Sequence, residues 1–176
     1  MINQIGNYSL YISLFASIWI ISRMRISKPI PEEFFFAADN IGDVRDFRLY
    51  QEVAEGGPLL VVSRHPGSKD TKSWRELGSY KMVRCLDGRL NPFEALSLII
   101  MVGGDCAKLF WHFRKLPSAP FFRVASLPYR RVILRAFFNR YRPKYFWGRD
   151  DYNEEHILRR QELHRIGCQS FGLNHG

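Results

Sequence analysis

Lys144-Tyr145-Phe146-Trp147-Gly148, then Glu154 to Ile166, then Gln169 to Leu173 have the pattern strand, helix, strand. The first piece is a short apolar, aromatic run of strand type. Asp151 opens a D-x-x-E helix-start signal with Glu154, the helix runs to Ile166, and Gly167 is its stop. The last piece is a second short strand closing on Asn174-His175-Gly176. If both strands are parallel in one sheet, the helix between them makes a right-handed crossover.

The same grammar repeats in the segments before it. Arg131 to Arg140 reads as a basic helix with Ile133, Leu134, Phe137 and Phe138 on its apolar face, ending before Pro143. Leu116 to Pro128 reads as irregular. Asn91-Pro92-Phe93-Glu94 is a helix start with a cap, a proline at the first position and a capping-box glutamate. Phe93, Leu96, Ile100, Ala107 and Trp111 follow at helical spacing, and Gly103-Gly104 is expected to kink or split that helix.

Nearer the N-terminus, Phe34 to Ala38, Leu59 to Val62 and Tyr80 to Leu86 read as strands, with Val44 to Glu55 a helix and Lys69 to Ser79 polar surface. Continuous apolar runs of this kind suit strands buried on both faces. The expected fold is therefore α/β: a doubly wound, mainly parallel, Rossmann-like sheet with an apolar N-terminal helix. Residues 1–28 form the apolar helix and its basic flank, and residues 29–176 the α/β domain.

Met1 to Ser22 carries no charged side chain, and Leu10 to Ile21 is almost continuously apolar. The positive charge of Arg23, Arg25 and Lys28 comes after the run, whereas a secretory signal carries it before. A bilayer span needs about 20 apolar residues. A span beginning near Ile5 and a buried or membrane-surface helix both remain open. Either reading leaves the rest of the chain cytoplasmic, peripheral to or anchored in the inner face of the cytoplasmic membrane.

The 176 residues suffice for one domain, and 46% apolar content excludes a disordered chain. A net charge of +9 suits an anionic partner, including an anionic membrane surface. The arginines are scattered rather than gathered in a tail, which argues against nucleic acid. Cys85, Cys106 and Cys168 form no CxxC pair and are odd in number, so buried thiols in a reducing compartment are expected rather than a disulfide or zinc framework. No GxGxxG, GxxxxGK[ST] or GxSxG is present, and no cofactor or metal is expected. His112 reads as structural, and His156 and His164, eight apart, as surface residues.

In an open parallel sheet, ligands bind beyond the carboxyl ends of the strands. The candidate ends carry Asp39 and Asn40, Arg64 and His65, Arg149, Asp150 and Asp151, and Asn174, His175 and Gly176. Each has a simpler alternative. Asp39 starts a turn, Arg64-His65 is a solvated loop pair, Asp151 is a helix cap, and Arg149 pairs with Asp150 or with solvent. His175, between a short strand and a glycine, is the candidate general base or phosphate donor; its alternative is a terminal turn.

The run Arg142-Pro143-Lys144-Tyr145-Phe146-Trp147-Gly148-Arg149-Asp150-Asp151-Tyr152 resembles an element of GT-B glycosyltransferases that build bacterial capsules and lipopolysaccharide. The segment from Arg165 to Gly176 resembles their closure of the N-terminal domain, and glycerophosphate transferases of cell-wall polymer synthesis share a similar arrangement. The resemblance covers about 35 residues in short motifs and otherwise extends only to general architecture. It implies the acceptor-side half of a two-domain enzyme, with catalytic roles for His175 and Asp151. Asp39, Asn40, Arg64, His65, Arg149, Asn174 and Gly176 would bind substrate. The nucleotide-sugar donor would enter through a second domain beyond Gly176, so a truncated chain, inactive alone, is expected. The acceptor would be a glycan or a lipid-linked sugar. The competing expectation is a non-catalytic, membrane-associated module that recognises anionic ligands, docked by the apolar N-terminus and the basic helix.

Overall fold

A computed structural model describes residues 2–26, 30–39, 52, 59–63, 80–84, 88–113, 123–148 and 154–172. Its centre is a five-stranded, all-parallel sheet. The strands are β2 (Glu32–Asp39), β3 (Leu59–Ser63), β4 (Tyr80–Arg84), β6 (Tyr141–Gly148) and β7 (Gln169–Gly172), in the order β4-β3-β2-β6-β7. A two-stranded parallel ribbon pairs β1 (Arg25–Ile26) with β5 (Arg89–Leu90). Four longer helices pack with them: α1 (Ile2–Arg23), α2 (Pro92–Phe113), α3 (Leu127–Arg140) and α4 (Glu154–Arg165).

The sheet buries both of its faces, as runs without polar alternation require. Ala37, Leu60, Val62 and Phe146 meet Leu134, Phe137 and Phe138 of α3 and Leu158 and Leu163 of α4 in one cluster. Phe36, Ala38, Leu59 and Val61 form a separate cluster, each at most 2% exposed. Neighbours along β3 alternate between the two clusters, which places the clusters on opposite faces of the sheet.

Helix α3 is buried on two sides. Its Leu134, Phe137 and Phe138 meet the sheet, while Val132 and Ala136 join Leu10, Ile20 and Ile21 of α1 and Leu98 and Val102 of α2 in a third cluster. The layers are thus sheet, then α3 and α4, then α1 and α2. The apolar N-terminal helix is a packed element of this core, and no helix among the described residues is long and apolar enough to cross a membrane.

The reciprocal capping box is present. Asn91 Oδ1 accepts from the Glu94 N–H at 2.7 Å, and Glu94 Oε2 accepts from the Asn91 N–H at 3.0 Å. Gly167 ends α4 with φ +78, the left-handed conformation of a C-terminal glycine. Three expectations are corrected. Gly103-Gly104 neither kinks nor splits α2, which runs unbroken from Pro92 to Phe113, because tertiary packing of Leu98, Val102 and Cys106 outweighs the weak propensity of two glycines. Helix α3 starts earlier, at Leu127, with Pro128 in its first turn, where the missing N–H costs nothing. Strand β6 begins at Tyr141 and so contains Pro143. Strand β7 pairs with Tyr145 to Gly148, so among the described residues one side of Pro143 faces no strand and needs no ladder donor.

The basic character of α3 also reads differently in three dimensions. Arg131 donates to Asp105 at 3.0 Å, Arg130 to Glu155 at 2.6 Å and Arg140 to Glu32 at 3.3 Å, and Arg135 pairs with Glu162. These arginines tie helices and sheet together and do not form a free basic face. The expected helix from Val44 to Glu55 and the surface stretch Lys69 to Ser79 lie essentially outside the described residues.

Candidate functional site

Parallel strands place their carboxyl ends at one edge, and the registers show how closely these ends are level. Asp39 is opposite Val62, Ser63 opposite Arg84, Ala38 opposite Trp147, and Gly148 opposite Gly172. From β2 the chain adds β3 and β4 on one side, then crosses back to add β6 and β7 on the other. The reversal falls between β2 and β6. In open α/β sheets a crevice forms at that point, because the connections leave in opposite directions. Asp39 ends β2 there, and Gly148 ends β6 beside it, about 4.8 Å away in strand spacing.

Gly148 draws α4 close to the strand end. A Cβ on Gly148 would lie 3.7 Å from Nη1 of Arg159, 3.8 Å from Nδ1 of His156 and 3.8 Å from the Phe171 carbonyl oxygen. Arg159 is 4% exposed; its guanidinium lies over the Phe146 ring at 5.6 Å, and its Nη2 is 3.9 Å from Glu155 Oε1. His156 is half-buried. A guanidinium and an imidazole therefore flank the backbone of β6 as it leaves the sheet.

Sequence reading placed His156 on the surface and counted Arg159 only among scattered arginines. The available signal was their spacing of three on α4, which puts both on one helix face, together with the glycine ending the preceding strand.

Of the residues singled out from sequence, Asp39 is placed by its backbone at the carboxyl edge beside the switch point. Asn40, Arg64, His65, Arg149, Asp150, Asp151, Asn174, His175 and Gly176 lie outside the described residues. The strands they follow, β2, β3, β6 and β7, are all parallel and end at that one edge. His112 and His164 are exposed on α2 and α4. Among the described residues, no group of three or more His, Cys, Asp or Glu side chains could hold a metal ion. Cys106 and Cys168 are free and buried.

A second polar cluster lies at the opposite, amino edge, where α3 runs into β6. Glu162, 2% exposed, pairs with both Arg135 and Arg165. Arg165 donates to Asn139 Oδ1, and Asn139 Nδ2 donates to Glu94 Oε1 at 2.9 Å. A cavity of about 290 Å³ opens beside this chain of contacts, lined by Asn91, Glu94, Arg135, Asn139 and Arg165 among others. Its charges balance one another and its hydrogen bonds join α2, α3 and α4, so it is a structural lock rather than a ligand site. The chain matches no protein-family model, no curated protein and no solved structure.

Proposed function

We propose that this chain is the acceptor-side domain of a glycosyltransferase, with its ligand at the carboxyl edge between β2 and β6. The observation that carries the reading is the all-parallel sheet with its order reversing beside Asp39 and Gly148. Helices on both faces, the doubly wound arrangement, belong to this reading; the burial of Phe36, Ala38, Leu59 and Val61 away from α3 and α4 supports it. The net charge of +9 favours an anionic substrate such as a phosphate-linked sugar.

In this scheme His175 or Asp151 takes the proton of an acceptor hydroxyl. The oxygen attacks the anomeric carbon of a nucleotide-activated sugar, and the nucleoside phosphate leaves with the bonding electrons. Asp39, Asn40, Arg64, His65, Arg149, Asn174 and Gly176 hold the acceptor, a glycan or a lipid-linked sugar. The donor binds to a second α/β domain. Isothermal titration with N-acetylglucosamine 1-phosphate, a minimal phosphate-linked sugar, tests the site. Binding that weakens by about tenfold in Arg64→Ala or His175→Ala, the effect of losing one charge-assisted hydrogen bond, supports the reading. Binding indifferent to both, or no binding, rejects it.

A further inference from the structure

Antiparallel packing of α1 and α2 leaves each helix with an apolar face turned outward. On α1, Tyr11, Ile12, Phe15, Ile18 and Trp19 are between 43% and 68% exposed. On α2, Phe93, Leu96, Ile100 and Trp111 are between 58% and 85% exposed. Both sets recur at helical spacing, so each forms one stripe along its helix. A groove lined by Leu10, Tyr11, Leu14, Cys106 and Phe110 joins the two. Monomeric proteins rarely leave so continuous an apolar surface facing water.

The charges around this surface identify its occupant. Helix α1 contains no carboxylate, and both carboxylates of α2 are engaged away from the outer face. Glu94 closes the capping box and accepts from Asn139, and Asp105 accepts from Arg131 at 3.0 Å. The cations remain outward: Lys108 is exposed on α2, and exposed Arg23 lies over the Trp19 ring at 5.4 Å. Among the described residues of α1 and α2, the charges left outward are therefore cationic. A second copy of the same surface would bring like charges together, which disfavours self-association. Exposed Trp19 and Trp111, with Tyr11, are the side chains that partition into the headgroup region of a bilayer.

We infer that the joined outer faces of α1 and α2 form an in-plane docking surface for an anionic lipid bilayer, with the apolar stripes in the acyl boundary and Arg23 and Lys108 at the headgroups. The surface differs from the one expected from sequence. Helix α2 takes the place of the basic helix α3, whose arginines are occupied internally. The inference does not depend on the transferase reading, since it uses another face of the molecule.

Co-sedimentation of the full chain with phosphatidylcholine vesicles, with and without phosphatidylglycerol, tests it. The expected result is binding about tenfold or more tighter to the phosphatidylglycerol vesicles, weakened by salt and abolished by Phe15→Glu with Ile100→Glu. Both positions are exposed, and circular dichroism reports whether the variant folds. Should it not fold, brominated phospholipid provides the readout on the unmodified chain: tryptophan quenching is expected, and its absence overturns the inference. No sedimentation with either vesicle overturns it as well. So does a dimer in light scattering that the double variant converts to monomer while vesicle binding stays unchanged, which would make a second copy the occupant.

Discussion

Replacing Gly88 by alanine places a methyl group into the backbone of α3. A Cβ at this position would lie 2.6 Å from the Ala136 carbonyl carbon, 2.7 Å from the Phe137 nitrogen and 2.8 Å from the Ala136 Cβ. Non-bonded carbons settle at about 3.5–4.0 Å, so the new atom demands a displacement of about 1 Å. The obstruction is main chain, on a helix held by the sheet on one side and by α1 and α2 on the other, so no rotamer change relieves it. Overpacking of this kind costs about 1–3 kcal/mol. With a urea slope of about 2 kcal/mol per molar, the unfolding midpoint should fall by about 0.5–1.5 M. Gly104→Ala is the matched control, since no atom lies within 4 Å of its missing Cβ. Alanine in an exposed helix interior is favoured over glycine by about 0.5–1 kcal/mol, so this variant should gain stability. A Gly88→Ala protein as stable as the parent would refute the packing of β5 against α3, and with it the layer order described above.

Burial pushes the Cys168 thiol from an ordinary 9.0 up to about 12. A raised folded pKa stabilises fully below pH 9 and loses that contribution as the pH climbs towards 12. The unfolding midpoint of the parent should therefore drop over that range by more than that of Cys168→Ala. At pH 8, iodoacetamide should label Cys168 only in urea, as peptide mass spectrometry would show; ready labelling of the native protein would contradict its burial. Glu162→Gln leaves Arg135 and Arg165 without their shared carboxylate. It should cost about 2–3 kcal/mol in urea unfolding, less than a fully buried pair because both guanidinium groups keep some solvent contact; a loss under about 0.5 kcal/mol would show that the amino-edge lock is not structural.

Local signals carried much of the fold. The capping box at Asn91 and Glu94 and the stop at Gly167 are recognisable in sequence because their bonding partners are only a few residues away. The apolar runs through Phe36, Val61 and Phe146 identified parallel strands because burial on both faces removes polar alternation. What escaped depends on distant partners. The arginines of α3 resemble a solvated face until Asp105, Glu32 and Glu162 are brought to them. Gly103-Gly104 reads as a break until Leu98, Val102 and Cys106 hold the helix straight across it. Among candidate site residues, the placement of Asp39 followed from its strand, while Arg159 and His156 became visible only once α4 packed beside Gly148.

We propose that a phosphate-linked sugar occupies the carboxyl edge of the sheet. Backbone amide shifts of the isotope-labelled chain, followed during titration with N-acetylglucosamine 1-phosphate, test it most directly. Saturable changes should centre on Asp39, Gly148, His156 and Gly172 and leave the Asn91–Asn139 cluster at the amino edge undisturbed. Changes confined to that amino-edge cluster, or a spectrum unaltered at saturating ligand, would rule out a sugar phosphate at the carboxyl edge.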